Sequence, residues 1–101
     1  MNKPKDDSSE AAKILKALAH PARIRLMRRL ASEECCVSEV EKCLRISQPN
    51  VSQHLRILKS AGLIAGTRRE RRICYRIADE RARAILGILS KGTPDHVQER
   101  H

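Results

Sequence analysis

The chain has 101 residues and a formal net charge of +9, enough for one small domain and too few for two. Its aromatic content is 1%, Tyr75 alone, which excludes a conventional β-sandwich and favours helices packed through Leu, Ile, Val, Ala and Met. No apolar run approaches the ~18 residues of a membrane span, and the opening MNKPKDDSSE lacks a signal-peptide core. The expectation is therefore a cytoplasmic protein with no membrane partner and with its four cysteines reduced.

Residues 1–7 read as disordered. Ser8 or Ser9 can cap a first helix reaching Ala19, with Ala11, Ile14, Leu15 and Leu18 on one stripe. His20 precedes a proline, which pushes it out of the helical region, and Pro21 suits the first position of a second helix. There Ile24, Met27, Leu30 and Ala31 keep helical spacing. Cys35 and Cys36 lie in the connection to a short third helix at 37–44, with Val37, Val40 and Leu44 as its apolar positions.

Arg45 and Ile46 make a turn, Ser47 an N-cap, and Pro49 lies in the first turn of a fourth helix running from Gln48 to Ala61. Val51, Leu55 and Leu58 form its inner face, and Gly62 ends it. The period then changes to strands at 63–67 and 73–77, joined by the charged tip Arg68-Arg69-Glu70-Arg71-Arg72. Asp79 caps a last helix at 80–90, and Gly92 and Pro94 stop it. The order is ααααββα: five helices and a two-stranded wing. One domain covers 8–92, and 93–101 is a polar tail.

Two short helices joined by a tight turn form a helix-turn-helix. Val40, Leu44, Val51 and Leu55 brace the second helix, whose N-terminal half can enter the major groove. Its outward residues are Gln48, Asn50, Ser52, Gln53 and Arg56, with His54 at the edge of the helix core or near a phosphate. Gln and Asn pair bidentately with adenine and Arg with guanine; a merely solvated face would be richer in Lys and Glu. Arg68, Arg69, Arg71 and Arg72 at the hairpin tip suit phosphates or the minor groove. The charge agrees, because residues 23–77 carry thirteen basic and five acidic groups, +8 of the total +9. A winged helix-turn-helix on double-stranded DNA is the leading expectation; a basic module for RNA or ribosomes is the alternative from another class. With no Ser-His-Asp or Cys-His pairing, carboxylate pair or Gly-rich phosphate loop, an enzyme is not expected.

The stretches LKALAHPARIRLMRRLA and VSEVEKCLRISQPNVSQHLRILKSAGLI, followed by a basic hairpin ending ICYRIAD, resemble the ArsR/SmtB family of bacterial transcriptional repressors. The resemblance spans residues 11–90. It implies a homodimer on an inverted-repeat operator, released by a metal ion, a metalloid or a thiol modifier, and it places Gln48, Ser52 and Gln53 at DNA-touching positions. The residues suggest the dimer too. Ile14 and Leu18 on the first helix, with Ala82, Ile85, Leu86 and Leu89 on the last, offer more apolar surface than so short a monomer covers. A two-fold axis would set two recognition helices about 34 Å apart.

Cys35, Cys36 and Cys43 flank the third helix. In arsenite-sensing relatives a Glu-Leu-Cys-Val-Cys-Asp-Leu pattern stands here. Cys36 matches its first cysteine, Ser38 replaces the second, and Cys35 replaces the leucine. Thiolates suit arsenite, antimonite or a soft metal ion, so these three cysteines are the expected inducer site, with no cofactor needed for DNA binding itself. A thiol redox or persulfide switch is the alternative, and simple burial is a third reading. Cys74 is expected to stand apart and to pack. A zinc site on the last helix is not expected: Asp79 matches the family's first ligand position, but Arg81, Gly92 and Asp95 stand where the others would be, and of these only Asp95 could coordinate.

Overall fold

The computed structural model describes residues 6–36, 39, 40, 42 and 48–91, the side chains of Gln48 and Lys91 excepted. Asp6 and Asp7, expected to be disordered, lead directly into helix α1 (Ser8–Leu18), with the backbone N–H of Ser8 donating to Asp6 Oδ1 at 2.9 Å. Ile14, Ala17 and Leu18 form its buried stripe. His20 is extended, at φ −161° and ψ 128°, as a residue before proline must be. Its side chain caps α2 (Pro21–Ser32) by accepting from the N–H of Ala22 at 3.1 Å. Leu26 and Met27 are fully buried on α2.

Helix α3 (Gln48–Ser60) buries Val51, Leu55 and Leu58. It ends as Gly62 predicts. Gly62 takes φ +79°, its N–H bonds to Lys59 O and the N–H of Leu63 reaches back to Leu58 O, closing the last carbonyls in a Schellman motif. Leu58 and Leu63, which meet across such a motif, are both wholly buried. Strands β2 (Ile64–Arg69) and β3 (Arg72–Ile77) follow, then helix α4 (Glu80–Lys91). Asp79 caps α4, accepting from the N–H of Arg81 at 2.8 Å. The Arg81 guanidinium also joins Asp79 and, at 2.9 Å, Glu10, tying α4 to α1.

The architecture corrects the expected strand count. Bounds are described for four helices and three strands, where the sequence suggested five helices and two strands. Of the expected helix at 37–44, only Glu39, Val40 and Lys42 are described, all helical; the remainder lies outside the described residues. The additional strand is β1 (Cys35–Cys36), which pairs antiparallel with β3 in the order β1-β3-β2. Two residues are too few for an alternating pattern, so nothing local marks them as a strand. The hairpin is also tighter than expected: Arg69 pairs with Arg72, leaving Glu70 and Arg71 as the turn. Glu70 adopts φ 60°, the left-handed backbone that a two-residue hairpin turn demands.

The core lies between α1, α2, α3 and the inner faces of β2, β3 and α4. Ile14, Leu18, Ala82 and Leu86, expected at a dimer interface, are only 0–5% exposed within the single chain. They close the protomer's own core, in one buried cluster with Leu26, Met27 and Leu63. Leu89 stays exposed and Ile85 half-buried, and the exposed apolar residues of these helices are Leu15 (55%), Ile88 (68%) and Leu89 (45%). Among the described residues no helix is long and apolar enough to cross a membrane.

Candidate nucleic-acid interface

Helix α3 separates its two jobs by angle. Val51, Leu55 and Leu58 anchor it inside, while Asn50, Ser52, Gln53 and Arg56 stand exposed on the other side. Inward anchoring restricts the helix, so the outward amide, hydroxyl and guanidinium groups share one orientation, the condition for reading base edges. Gln48 opens the helix, but its side chain lies outside the described residues. We expect Gln53→Ala to weaken binding to the specific operator by about 1–3 kcal/mol and to spare non-specific DNA. Arg71→Ala should weaken both and flatten the dependence of affinity on salt. A gel-shift titration over a salt series checks this, and identical behaviour of the two variants would refute the division of labour.

His54 is set apart from these side chains. Its ring lies 4.6 Å, centroid to centroid, from that of His20, and its Nδ1 is buried without a hydrogen-bond partner among the described residues. It therefore joins α3 to the α1–α2 elbow. Burial, then the nearby His20 and Arg23, hold its pKa below the ordinary imidazole value. The unfolded chain binds that proton more readily, so stability is fully present above pH ~6.5 and is lost as pH falls through the folded-state pKa. Melting temperatures measured between pH 7 and 5 should fall for the natural protein and stay flatter for His54→Gln. Parallel curves would exclude His54 as the group responsible.

The wing carries Arg68, Arg71 and Arg72, all exposed, with Arg68 and Arg72 on the strands beside the Glu70-Arg71 turn. Arg69 is not available in the same way. Its guanidinium grips Glu34 through two bonds, at 2.7 and 3.2 Å, and this contact holds the Glu34 carboxyl below its usual pKa. Only the tertiary fold brings Glu34, thirty-five positions away, beside the wing.

The cysteines are arranged differently from the expectation. Cys36 on β1 and Cys74 on β3 are register partners and form a disulfide, which corrects both the reduced state expected of these two and the isolation expected of Cys74. A residue in the middle of a strand finds its partner by sheet register, and β1 was invisible in the pattern. Cys35 is a free thiol, 1% exposed. Burial pushes its pKa up, against a smaller opposing effect of Arg29, so it is a poor thiolate. Glu39 accepts from the N–H of Cys36 at 3.0 Å, linking the disulfide to the helical residues described between β1 and α3. Cys43 lies outside the described residues. No group of three or more His, Cys, Asp or Glu able to hold a metal occurs among the described residues.

Residues 20–65 match the model of a bacterial regulatory protein family, the arsR family. The chain is 41% identical over 95 residues to the HTH-type transcriptional repressor SmtB of Mycobacterium tuberculosis, covering 93% of this chain and 70% of that protein. HlyU from Vibrio cholerae superposes with a TM-score of 0.82 at 28% identity, covering 86% of this chain and 95% of HlyU. The homodimeric winged helix-turn-helix DNA-binding domain of a Mycobacterium bovis regulator superposes with a TM-score of 0.79 at 28% identity, covering 100% and 96%.

Proposed function

The chain belongs to the ArsR/SmtB family of bacterial transcriptional repressors, and we propose that its hold on operator DNA is set by the oxidation state of Cys36 and Cys74. DNA-binding repression follows from the family and displaces the RNA- or ribosome-binding alternative. The operator is an inverted repeat and the acting unit a homodimer, a reading supported by the homodimeric relative and by exposed Leu15, Ile88 and Leu89 on α1 and α4.

The observation that carries the thiol response is the disulfide joining β1 to the central strand of the wing sheet. Cys36 lies three positions before helical Glu39 and four before Val40, which shares the core with Val51 and Leu55 of α3, and Cys74 lies on the wing. Oxidation ties the two DNA-contacting parts together and removes their freedom to adjust to the duplex; the reduced protein is the tighter binder. In the step itself the two thiols give up two protons and two electrons, which reduce hydrogen peroxide to two waters as the S–S bond forms. Cys35 takes no part in it, because its thiol is buried and its pKa raised.

A second reading keeps arsenite, antimonite or a soft metal ion as inducer. It is favoured by the same placement, since a reduced Cys36 and Cys74 would face each other across adjacent strands as a two-thiol clamp. Here the pair Cys36 and Cys74 stands in place of the three-cysteine set, Cys35, Cys36 and Cys43, suggested by the sequence. Gel shifts with an inverted repeat from the protein's own promoter separate the readings. Peroxide should weaken binding about tenfold in the natural protein, thiol reductant should restore it, and Cys74→Ser should respond to neither. Peroxide-induced release that persists in Cys74→Ser would refute the switch, and release by arsenite alone would favour the second reading.

A further inference from the structure

Between α1 and α3 lies a cleft of about 310 Å³. Its floor is apolar, made by Ala17, Ile57 and Ala61, and its rim carries Lys13, Lys16 and Arg56. None of these three cations forms an ion pair among the described residues. The volume is at the lower end of small-molecule pockets, which run from about 300 to 1,000 Å³.

Solvated lysines need no apolar floor, and an apolar floor needs no unpaired cations. Together they match one ligand chemistry. We infer that the cleft binds a small amphiphilic carboxylate, its apolar body on Ala17, Ile57 and Ala61 and its carboxylate held by Lys13, Lys16 and Arg56. Ser60, which also lines the cleft, adds a hydroxyl donor. A phosphodiester would satisfy the cations but leave the floor wet, and a neutral apolar molecule would leave the charges unmatched.

The cleft is independent of the surface expected to meet a second copy. Lys13 and Ala17 each lie two residues from exposed Leu15, which at about 3.6 residues per turn puts them on the far side of α1. It is not independent of DNA. Arg56 stands on α3 one turn beyond Ser52 and Gln53, so a carboxylate paired with it removes a cation from the DNA-reading helix. Ligand and operator then bind antagonistically, each weakening the other by the same factor. The ligand thus acts directly on α3, whatever the state of the thiols.

The test uses the full chain carrying Cys74→Ser, so that thiol chemistry does not enter, with decanoate as probe. Decanoate should shift the amide NMR signals of Ala17, Ile57 and Ala61 and weaken operator binding. Acetate, which lacks the body, and decanol, which lacks the charge, should each bind about tenfold more weakly or worse. Lys13→Gln combined with Lys16→Gln should lose decanoate while keeping operator binding, and Ser60→Trp, which fills the cleft, should lose it as well. Binding of decanol equal to that of decanoate would overturn the carboxylate assignment. Undiminished binding in Ser60→Trp, or no shifts at all, would overturn the site.

Discussion

Reduction of the Cys36–Cys74 disulfide should destabilise the protein by about 4 kcal/mol, as expected from opening a loop closed across 38 positions. The physical reason lies mostly in the unfolded chain, which gains conformational freedom when the cross-link is cut. The pair also joins β1, a strand of only two residues, to the sheet, so its loss should release the edge of the sheet before the core melts. Urea unfolding at one fixed protein concentration, with and without reductant, measures the effect. The natural protein should show a large drop in midpoint on reduction, whereas Cys74→Ser should start low and not respond. Equal midpoints in the natural protein under both conditions would show that the cross-link does not contribute to folding in solution, and the switch would lose its structural basis.

Leu58→Ala is expected to cost about 2–5 kcal/mol, the range for emptying a leucine-sized space in a packed core. Leu58 is wholly buried, as is Leu63, and its carbonyl receives the N–H of Leu63 in the motif that ends α3. The substitution therefore loosens the rear anchor of the recognition helix together with the turn into the wing. Against a total stability of about 5–15 kcal/mol, the variant should unfold near physiological temperature and lose operator binding as a consequence. Leu15→Ala is the contrast. Leu15 is 55% exposed, so its truncation should leave the stability of the protomer nearly unchanged and act only through association, seen as a stronger dependence of melting on protein concentration. A small effect of Leu58→Ala would mean that α3 is held by contacts other than those at its buried face.

Much of the site was legible because it is written in local chemistry. Pro21, Gly62 and Asp79 act through their own backbone and nearest neighbours, and each stands where its residue type predicts. The helical spacing of Val51, Leu55 and Leu58 was enough to turn Asn50, Ser52, Gln53 and Arg56 outward. What escaped was decided by partners distant in the chain. Arg69 reads as a free wing cation until Glu34 is brought beside it, and of the two places open to His54, the edge of the helix core or a phosphate, the fold selects the first by bringing His20 of the α1–α2 elbow against it. Ile14, Leu18, Ala82 and Leu86 read as a surface for a second subunit because periodicity marks an apolar stripe without saying what covers it; in the fold they are buried within the single chain.

The cysteines divide the two kinds of information most clearly. The sequence by itself determined the winged helix-turn-helix, the exposed polar face of α3 and the basic wing, since helix period, caps and charge are properties of short segments. Tertiary structure alone decided that Cys36 meets Cys74, that Cys35 is buried beside them, and that an apolar floor lies beneath Lys13, Lys16 and Arg56. Sheet register and helix packing are set by the whole core, and no window of neighbouring residues contains them.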